Sequence, residues 1–432
     1  MKRFLFFWVT VLVFIGCVSP AANAKTLAEL LPELLDSHER MKASVNRQDS
    51  AFYSWRASKS SWYPRLDLTG DAANEEIRRS RGGAGTSERK NVEKFRATQM
   101  LWDFGATNSA IAQSRALFEQ SVSDKVATRQ GLLREGVAAY LNLIRYSKQL
   151  SYALQSEESI KRQTGMEESL VKRGAGLSSD VLQAKSQLAG ATALRVITEG
   201  NYANAKNRFL AVYGFEIDDM EVRNFKEPVV PFDKIPSTLD EAIQIALKEN
   251  PQLVRAGKDV VLAQKGVTAV KSRFYPSFNL FGEQHRYERD GGTKDIKDES
   301  RLGVEFNYNL YAGGGDVAGL KSARHTRTGA VNTLLDIQRT IEEQVRVSWQ
   351  NLLTARGRAE WYNNQANIEG EFLELARKER KLGNRSLLDV LTSEVTHINA
   401  LSGAVAAEAD KSLAAYDLLY AMGWLELDLF VK

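Results

Sequence analysis

Trp62-Tyr63-Pro64-Arg65-Leu66-Asp67-Leu68-Thr69-Gly70 returns as Phe274-Tyr275-Pro276-Ser277-Phe278-Asn279-Leu280-Phe281-Gly282, an offset of 212 residues, and Thr26-Leu27 against Thr238-Leu239 keeps that offset. Leu101-Trp102-Asp103-Phe104-Gly105 then matches Leu310-Tyr311-Ala312-Gly313-Gly314 at an offset of 209. Gly174 with Asp180-Val181-Leu182 against Gly383 with Asp389-Val390-Leu391, and Gly214 against Gly423, keep that second offset. One three-residue deletion between the Tyr-Pro and Leu-aromatic elements reconciles the two. Self-similarity over such a length means two copies of one structural unit. The copies span residues 25–214 and 238–432, and the linker, residues 215–237, holds Pro228, Pro231 and Pro236.

The hydrophobic period changes along each copy. Residues 27–61 and 239–272 read as amphipathic helix, the second capped by Ser237 or Thr238 ahead of Glu241. Where the second copy has Asn250-Pro251 the first has His38-Glu39, which predicts a first helix that runs on unbroken. The period then drops to two. Leu66, Leu68, Gly70 and Ala72 alternate with Arg65, Asp67, Thr69 and Asp71, and Leu302, Val304, Phe306, Tyr308 and Leu310 alternate with Gly303, Glu305, Asn307 and Asn309. Charged stretches with glycine, residues 78–90 and 288–300, read as solvated hairpin loops, so each copy holds one β-hairpin, at about 62–104 and about 274–311.

Past each hairpin the helical period returns, with Leu133, Val137, Tyr140 and Ile144 on one stripe and Trp349, Leu352 and Leu353 in the corresponding place. No proline interrupts residues 65–227 or 277–432. Residues 106–172 therefore predict roughly 100 Å of helix at ~1.5 Å per residue. A polar helix of that length has to pack along partner helices, as in a coiled coil.

The N-terminus has the layout of a cleavable signal peptide: Lys2 and Arg3, an apolar run from Phe4 to Gly16, then Ala22-Asn23-Ala24, with cleavage expected after Ala24. Phe14-Ile15-Gly16-Cys17 loosely resembles a lipidation box. Cys17 is the only cysteine, so a chain cut after Ala24 has neither a disulfide nor a thiolate metal site. Loss of Lys2 and Arg3 lowers the formal charge from +4 to a near balance, which excludes nucleic acid as the expected partner. No later apolar run is long enough for a transmembrane helix, so membrane insertion would use β-strands.

Strands with one apolar face, aromatic residues at their ends and charged loops are the pattern of an outer-membrane barrel wall. Trp62, Tyr63, Trp102, Phe274, Tyr275 and Tyr311 supply the aromatic ends. Four strands are too few to close a barrel around a channel, and open edges cannot face lipid, so the chain has to oligomerise. Two, three or four copies would bring 8, 12 or 16 strands together, and the smallest of these barrels would be filled by its own side chains.

Enzyme chemistry finds no support. His38, His285, His325 and His397 lack ligand spacing, and Gly313-Gly314-Gly315 lacks the Lys-Ser/Thr of a phosphate loop. Glu342-Glu343 and Asp298-Glu299 sit where solvated charge is expected. No catalytic residue, cofactor or metal site is expected.

The twofold unit of helix, Tyr-Pro hairpin, very long helix, Gly-x5-Asp-Val-Leu turn and returning helix resembles the TolC family of outer-membrane efflux and secretion proteins over the whole predicted mature chain. Gly383-Asn384-Arg385-Ser386-Leu387-Leu388-Asp389-Val390-Leu391 and Gly174-Ala175-Gly176-Leu177-Ser178-Ser179-Asp180-Val181 are most similar to members serving type I secretion. The resemblance implies a mainly α protein with a β-barrel part: a homotrimer whose 12 strands form one outer-membrane barrel above a periplasmic tunnel of coiled-coil helices. It also implies a periplasmic adaptor, an inner-membrane transporter of ABC type and outer-membrane lipid as partners.

Carried over residue by residue, the resemblance implies a periplasmic gate at the turns. Arg385 would bond to Ser179 and Asp180, Asp389 would supply a ring of carboxylates, and Gly174, Gly176, Leu177, Gly383 and Leu387 would meet the adaptor. Two positions depart: Arg380 replaces a tyrosine of the family's gate, and Thr392 replaces a second ring aspartate. The expected function is a passive conduit for an exported protein. A small-molecule efflux channel is the alternative, and a periplasmic coiled-coil adaptor or scaffold a more distant one.

Overall fold

The computed structural model describes residues 25–80, 85–175 and 177–430. The expected signal peptide with Cys17, and Gly176 of the first turn, lie outside the described residues.

The first copy opens with α1 (Leu27–Ser37) and α2 (Glu39–Ser58), then β1 (Arg65–Ile77), β2 (Thr86–Trp102), α3 (Ala106–Lys172) and α4 (Ser178–Tyr213). A short α5 (Asp219–Arg223) lies in the linker. The second copy repeats the order as α6 (Leu239–Glu249), α7 (Pro251–Lys271), β3 (Ser277–Glu288), β4 (Ile296–Asn307), α8 (Gly315–Lys381) and α9 (Leu387–Ala421). Both long helices, α3 and α8, have 67 residues, so the 209-residue offset holds from end to end.

Near the start of the copies one expectation is corrected and one choice is resolved. The first helix does break: His38 adopts an extended backbone, and its Nδ1 accepts a hydrogen bond from the Arg40 N–H at 3.0 Å. An imidazole thus provides the N-cap that Asn250 provides in the second copy, where Oδ1 accepts from Gln252 N–H at 2.9 Å. Thr238, not Ser237, caps α6, its hydroxyl accepting from the Glu241 N–H.

The four strands form one antiparallel sheet in the order β1-β2-β3-β4, so the hairpins of the two copies join through β2 and β3. Towards the Tyr-Pro end of the hairpins, register gathers apolar residues on one face. Leu66, Ala97, Gly282 and Leu302 form one row, with Leu280 and Val304, and then Phe278 and Phe306, in rows beside it. These apolar side chains lie open: Leu68, Leu302 and Phe306 are 76%, 82% and 68% exposed. The other face carries paired charge, across strands, along a strand and to the turn after β3. Arg96 bonds Glu283 and Glu305 at 2.8 Å each, Arg301 pairs with Glu299, and Lys90 bridges Glu75 and Asp290.

The strands are displaced from their expected limits. β4 stops at Asn307 and leaves out Tyr308 and Leu310, because β3 begins at Ser277, directly after Pro276, and offers no partner further back. At the other end the strands reach into the stretches expected to be loops. Charged residues pair across the ladder there, as Lys90 does with Glu75 and Asp290. The end aromatics are open rather than core, with Tyr63, Trp102 and Tyr311 all more than half exposed.

The chain folds as two compact units, and each draws on both copies. The unit of residues 31–138, 230–368 and 406–432 holds the sheet. Its core packs Ile243 and Ala246 of α6 on Ile341, Val345 and Leu352 of α8 and on Leu418 and Met422. Leu352 of the expected stripe belongs to this core and Trp349 packs against it, whereas Leu353 faces out. Residues 139–229 and 369–405, with residues 25–30, form the other unit. There Tyr140 stacks on Phe225 at 4.5 Å and donates its hydroxyl hydrogen bond to the Lys226 carbonyl at 2.9 Å. Burial pushes the Tyr140 hydroxyl up to about 12, so it remains a donor. Leu133, Val137, Tyr140 and Ile144 are all buried, as the stripe predicts.

Candidate functional site at the helical turns

α3 and α8 end in the same way. Gly174 and Gly383 take left-handed backbones, φ 75° and 81°, which glycine adopts without the steric cost of a Cβ. The Ala175 N–H bonds back to the Leu170 carbonyl and the Asn384 N–H to Glu379, each at 3.0 Å. Gly174 and Gly383 N–H groups close the inner bonds to Val171 and Arg380. This 6→1 with 5→2 pattern is the Schellman motif, and it satisfies carbonyls that a helix end would leave unpaired. Two copies of the Gly-x5-Asp-Val-Leu sequence therefore encode two copies of one reversal.

The expected site residues fall into distinct environments. Ser386 Oγ accepts from the Asp389 N–H at 3.1 Å and caps α9, leaving the Asp389 carboxylate exposed. Ser179 donates to Asp180 at 3.4 Å on the first turn of α4. Arg385 stays on its own side: its Nε lies 3.0 Å from Glu379, and its guanidinium lies 4.9 Å over the Phe372 ring. Within one chain these bonds, and not Ser179 or Asp180, are the partners of Arg385. Leu177 is 66% exposed beside Gly174, and Leu382 is 76% exposed beside Gly383. Leu387, expected at the contacting tip, is instead core: only 7% exposed, it packs with Ile160, Ala184, Ala191 and Leu391.

A polar cluster set back from the reversals includes Arg380, which the sequence marked only as a departure from the family's gate, and four residues it did not mark, Gln163, Glu167, Arg377 and Glu394. Arg380 Nη2 lies 2.8 Å from Glu167 of α3, and its Nη1 donates to the Arg385 carbonyl at 3.2 Å. Arg377 lies 3.1 Å from Glu394 of α9, and Gln163 of α3 donates to the same Glu394 oxygen at 2.8 Å. The three-residue spacing of Arg377 and Arg380 puts both on one stripe of α8, which is legible; which acids they meet on other helices is not. Nearby, a hydrogen bond from Lys185 holds the half-buried Glu168 below the usual carboxylate range.

No group of three or more metal-binding side chains exists among the described residues. No helix among them is long and apolar enough to cross a membrane.

Known proteins resemble the chain in sequence and in fold. Outer membrane protein TolC of Vibrio cholerae serotype O1 is 22% identical over 430 residues, spanning 98% of this chain and 96% of that protein. Alkaline protease secretion protein AprF of Pseudomonas aeruginosa is 24% identical over 349 residues, 78% of this chain and 68% of its own. The CmeC outer membrane channel of Campylobacter jejuni superposes with a TM-score of 0.79 at 16% identity, over 92% of this chain and 85% of CmeC. The sequence pattern of the outer membrane efflux protein family covers residues 30–214 and 242–423, one block in each copy, and the chain belongs to that family as a channel protein of the outer membrane.

Proposed function

We propose that the chain is the outer-membrane subunit of a tripartite type I secretion system, a homotrimer that passively conducts an exported protein from periplasm to exterior. The sheet carries this reading: one apolar face, one charged face and two unpaired edges, β1 and β4. Such a sheet meets lipid on one side and water on the other only when copies close its edges into a barrel. Three copies give 12 strands, which leaves room for a lumen. The likeness to AprF, a protein named for protease secretion, and the sequences of the two turns favour protein cargo over small molecules.

In this reading the turns face a periplasmic adaptor, with Gly174 and Gly383 shaping them and Leu177 offering apolar surface. Leu387 supports them from beneath. Arg385, Asp389, Ser179 and Asp180 narrow the entrance, where inward carboxylates of three chains attract cations. The energy for transport comes from an inner-membrane ABC transporter.

Comparative mass spectrometry of culture medium and cell surface, with and without the gene, tests the assignment. Selective loss of a large protein without an N-terminal signal peptide is the expected result. An unchanged exported set, together with new sensitivity to toxic compounds, would favour the small-molecule efflux channel instead.

A further inference from the structure

We propose that a cleft bounded by α1, α2, α3 and the turn Leu427–Leu429 binds a single-chain anionic amphiphile, a fatty carboxylate, with Lys125 and Arg129 holding its head group. The proposal goes beyond the channel reading and does not depend on which cargo passes.

The cleft combines apolar and basic side chains. Pro32, Leu35, Met41, Val45 and Leu427 make an apolar floor, and Lys42, Lys125 and Arg129 bring three cations against the single carboxylate of Asp36. All of these residues belong to the unit that holds the sheet. Lys42 is engaged by Glu39, one turn away on α2, at 2.9 Å. Lys125 and Arg129 are half-buried, and neither forms a hydrogen bond or ion pair with any described residue. Their spacing of four residues puts both on one face of α3, where like charges disfavour the helix unless an anion neutralises them.

The repeat shows that the fold does not require these charges. Where the first copy has Lys42, Lys125 and Arg129, the offsets place Val254, Leu334 and Gln338 in the second. α7 and α8 form with those residues as α2 and α3 form with theirs. Cations without a protein partner, beside an apolar floor, therefore fit a ligand rather than packing. A carboxylate would receive a fork from Arg129 and a point charge from Lys125, and its chain would cover the floor. The cleft volume of about 690 Å³ suits a small molecule and not a docked helix. α3 begins at Ala106, just after β2, so Lys125 stands roughly 30 Å along the helix at ~1.5 Å per residue. The ligand is thus taken from the aqueous periplasm and not from the bilayer around the strands.

The test uses outer-membrane vesicles that carry the full-length protein and a photoreactive fatty acid with a diazirine in its chain, the labelled peptides being mapped by mass spectrometry. Label is expected on α1, α2 and the turn at Leu427, together with background label on the lipid-facing strands. Dodecanoate should displace the cleft label, and dodecanol should not. Lys125→Leu with Arg129→Gln, the residues that the second copy carries, should weaken cleft labelling about tenfold or more while leaving strand labelling unchanged. Lys125→Arg should retain it. A wild-type cleft without label, equal displacement by the alcohol, or full cleft labelling in the double variant would each overturn the proposal. The displacement experiments use the wild type, so they decide the question even where the double variant fails to assemble. Strand labelling persists in all of these outcomes if the channel reading holds, so the two fail separately.

Discussion

At the scale of single residues, His38 shows how a functional group can be reused for architecture. Its ring accepts from the Arg40 N–H, which only the neutral imidazole can do. Burial, reinforced by the Arg40 charge, holds its pKa below the ordinary value, so folding favours the unprotonated form. A lowered histidine pKa contributes stability above about pH 6.5, and that contribution is lost as pH falls through the folded-state value. His38→Asn should keep the cap and remove this acid sensitivity, whereas His38→Ala should cost about 1 kcal/mol at neutral pH. Thermal melts at pH 7 and pH 5 would decide it; equal acid sensitivity in wild type and His38→Asn would show that the ring is not the acid-labile cap. The sequence alone offered His38-Glu39 as a simple departure from Asn-Pro. An imidazole is an uncommon cap, and only the extended backbone at that position reveals it.

At the scale of elements, repeated sequence wrote repeated local structure, and contacts between elements then made the copies differ. Gly214 and Gly423 both have left-handed backbones, φ 82° and 76°. A Cβ on Gly214 would meet open space, whereas one on Gly423 would lie 2.8 Å from the Asn250 Cα. Gly214→Ala should cost about 1–2 kcal/mol for the backbone alone. Gly423→Ala should cost roughly a further 1–3 kcal/mol, because the opposing atoms are backbone and cannot rotate away. Denaturant melts of the two variants compare them directly, and equal losses would mean that α6 and α7 shift freely to make room.

The same distinction sets what was legible in the chain. Helices, strands and turns followed from period, proline placement and glycine, all of which act within a few residues. The ends of β4 and the partners of Arg380 and Arg385 did not, because they depend on where a neighbouring strand starts or which helix lies alongside. The site was legible to the same extent. The turns could be located from Gly174 and Gly383, but the exposure of Leu177 and the burial of Leu387 are tertiary facts.

At the scale of the whole molecule, the two-faced sheet predicts an asymmetric response to added charge. Val304→Arg places a cation among Leu280, Leu302 and Phe306 on the lipid face and should cost roughly 2–4 kcal/mol if it lies near the bilayer midplane. Loss of detergent-resistant trimer from outer-membrane fractions would report it. Asn279→Arg, beside Glu305 on the charged face, should assemble normally. If both variants inserted equally well, the apolar face would not be the lipid face.

The pairing of β2 with β3 also sets a timetable. Each hairpin can close as soon as its own residues are available, but the seam from Asn91–Glu288 to Trp102–Phe278 joins positions separated by nearly half the chain. Closing so long an intervening segment is slow, and sheets built on such distant pairing form late. The half of the molecule made first must therefore wait, with one edge of β2 unmatched, until the second half arrives. Delivery of the chain across the inner membrane, rather than the pairing of strands, then sets the earliest moment at which this sheet can exist.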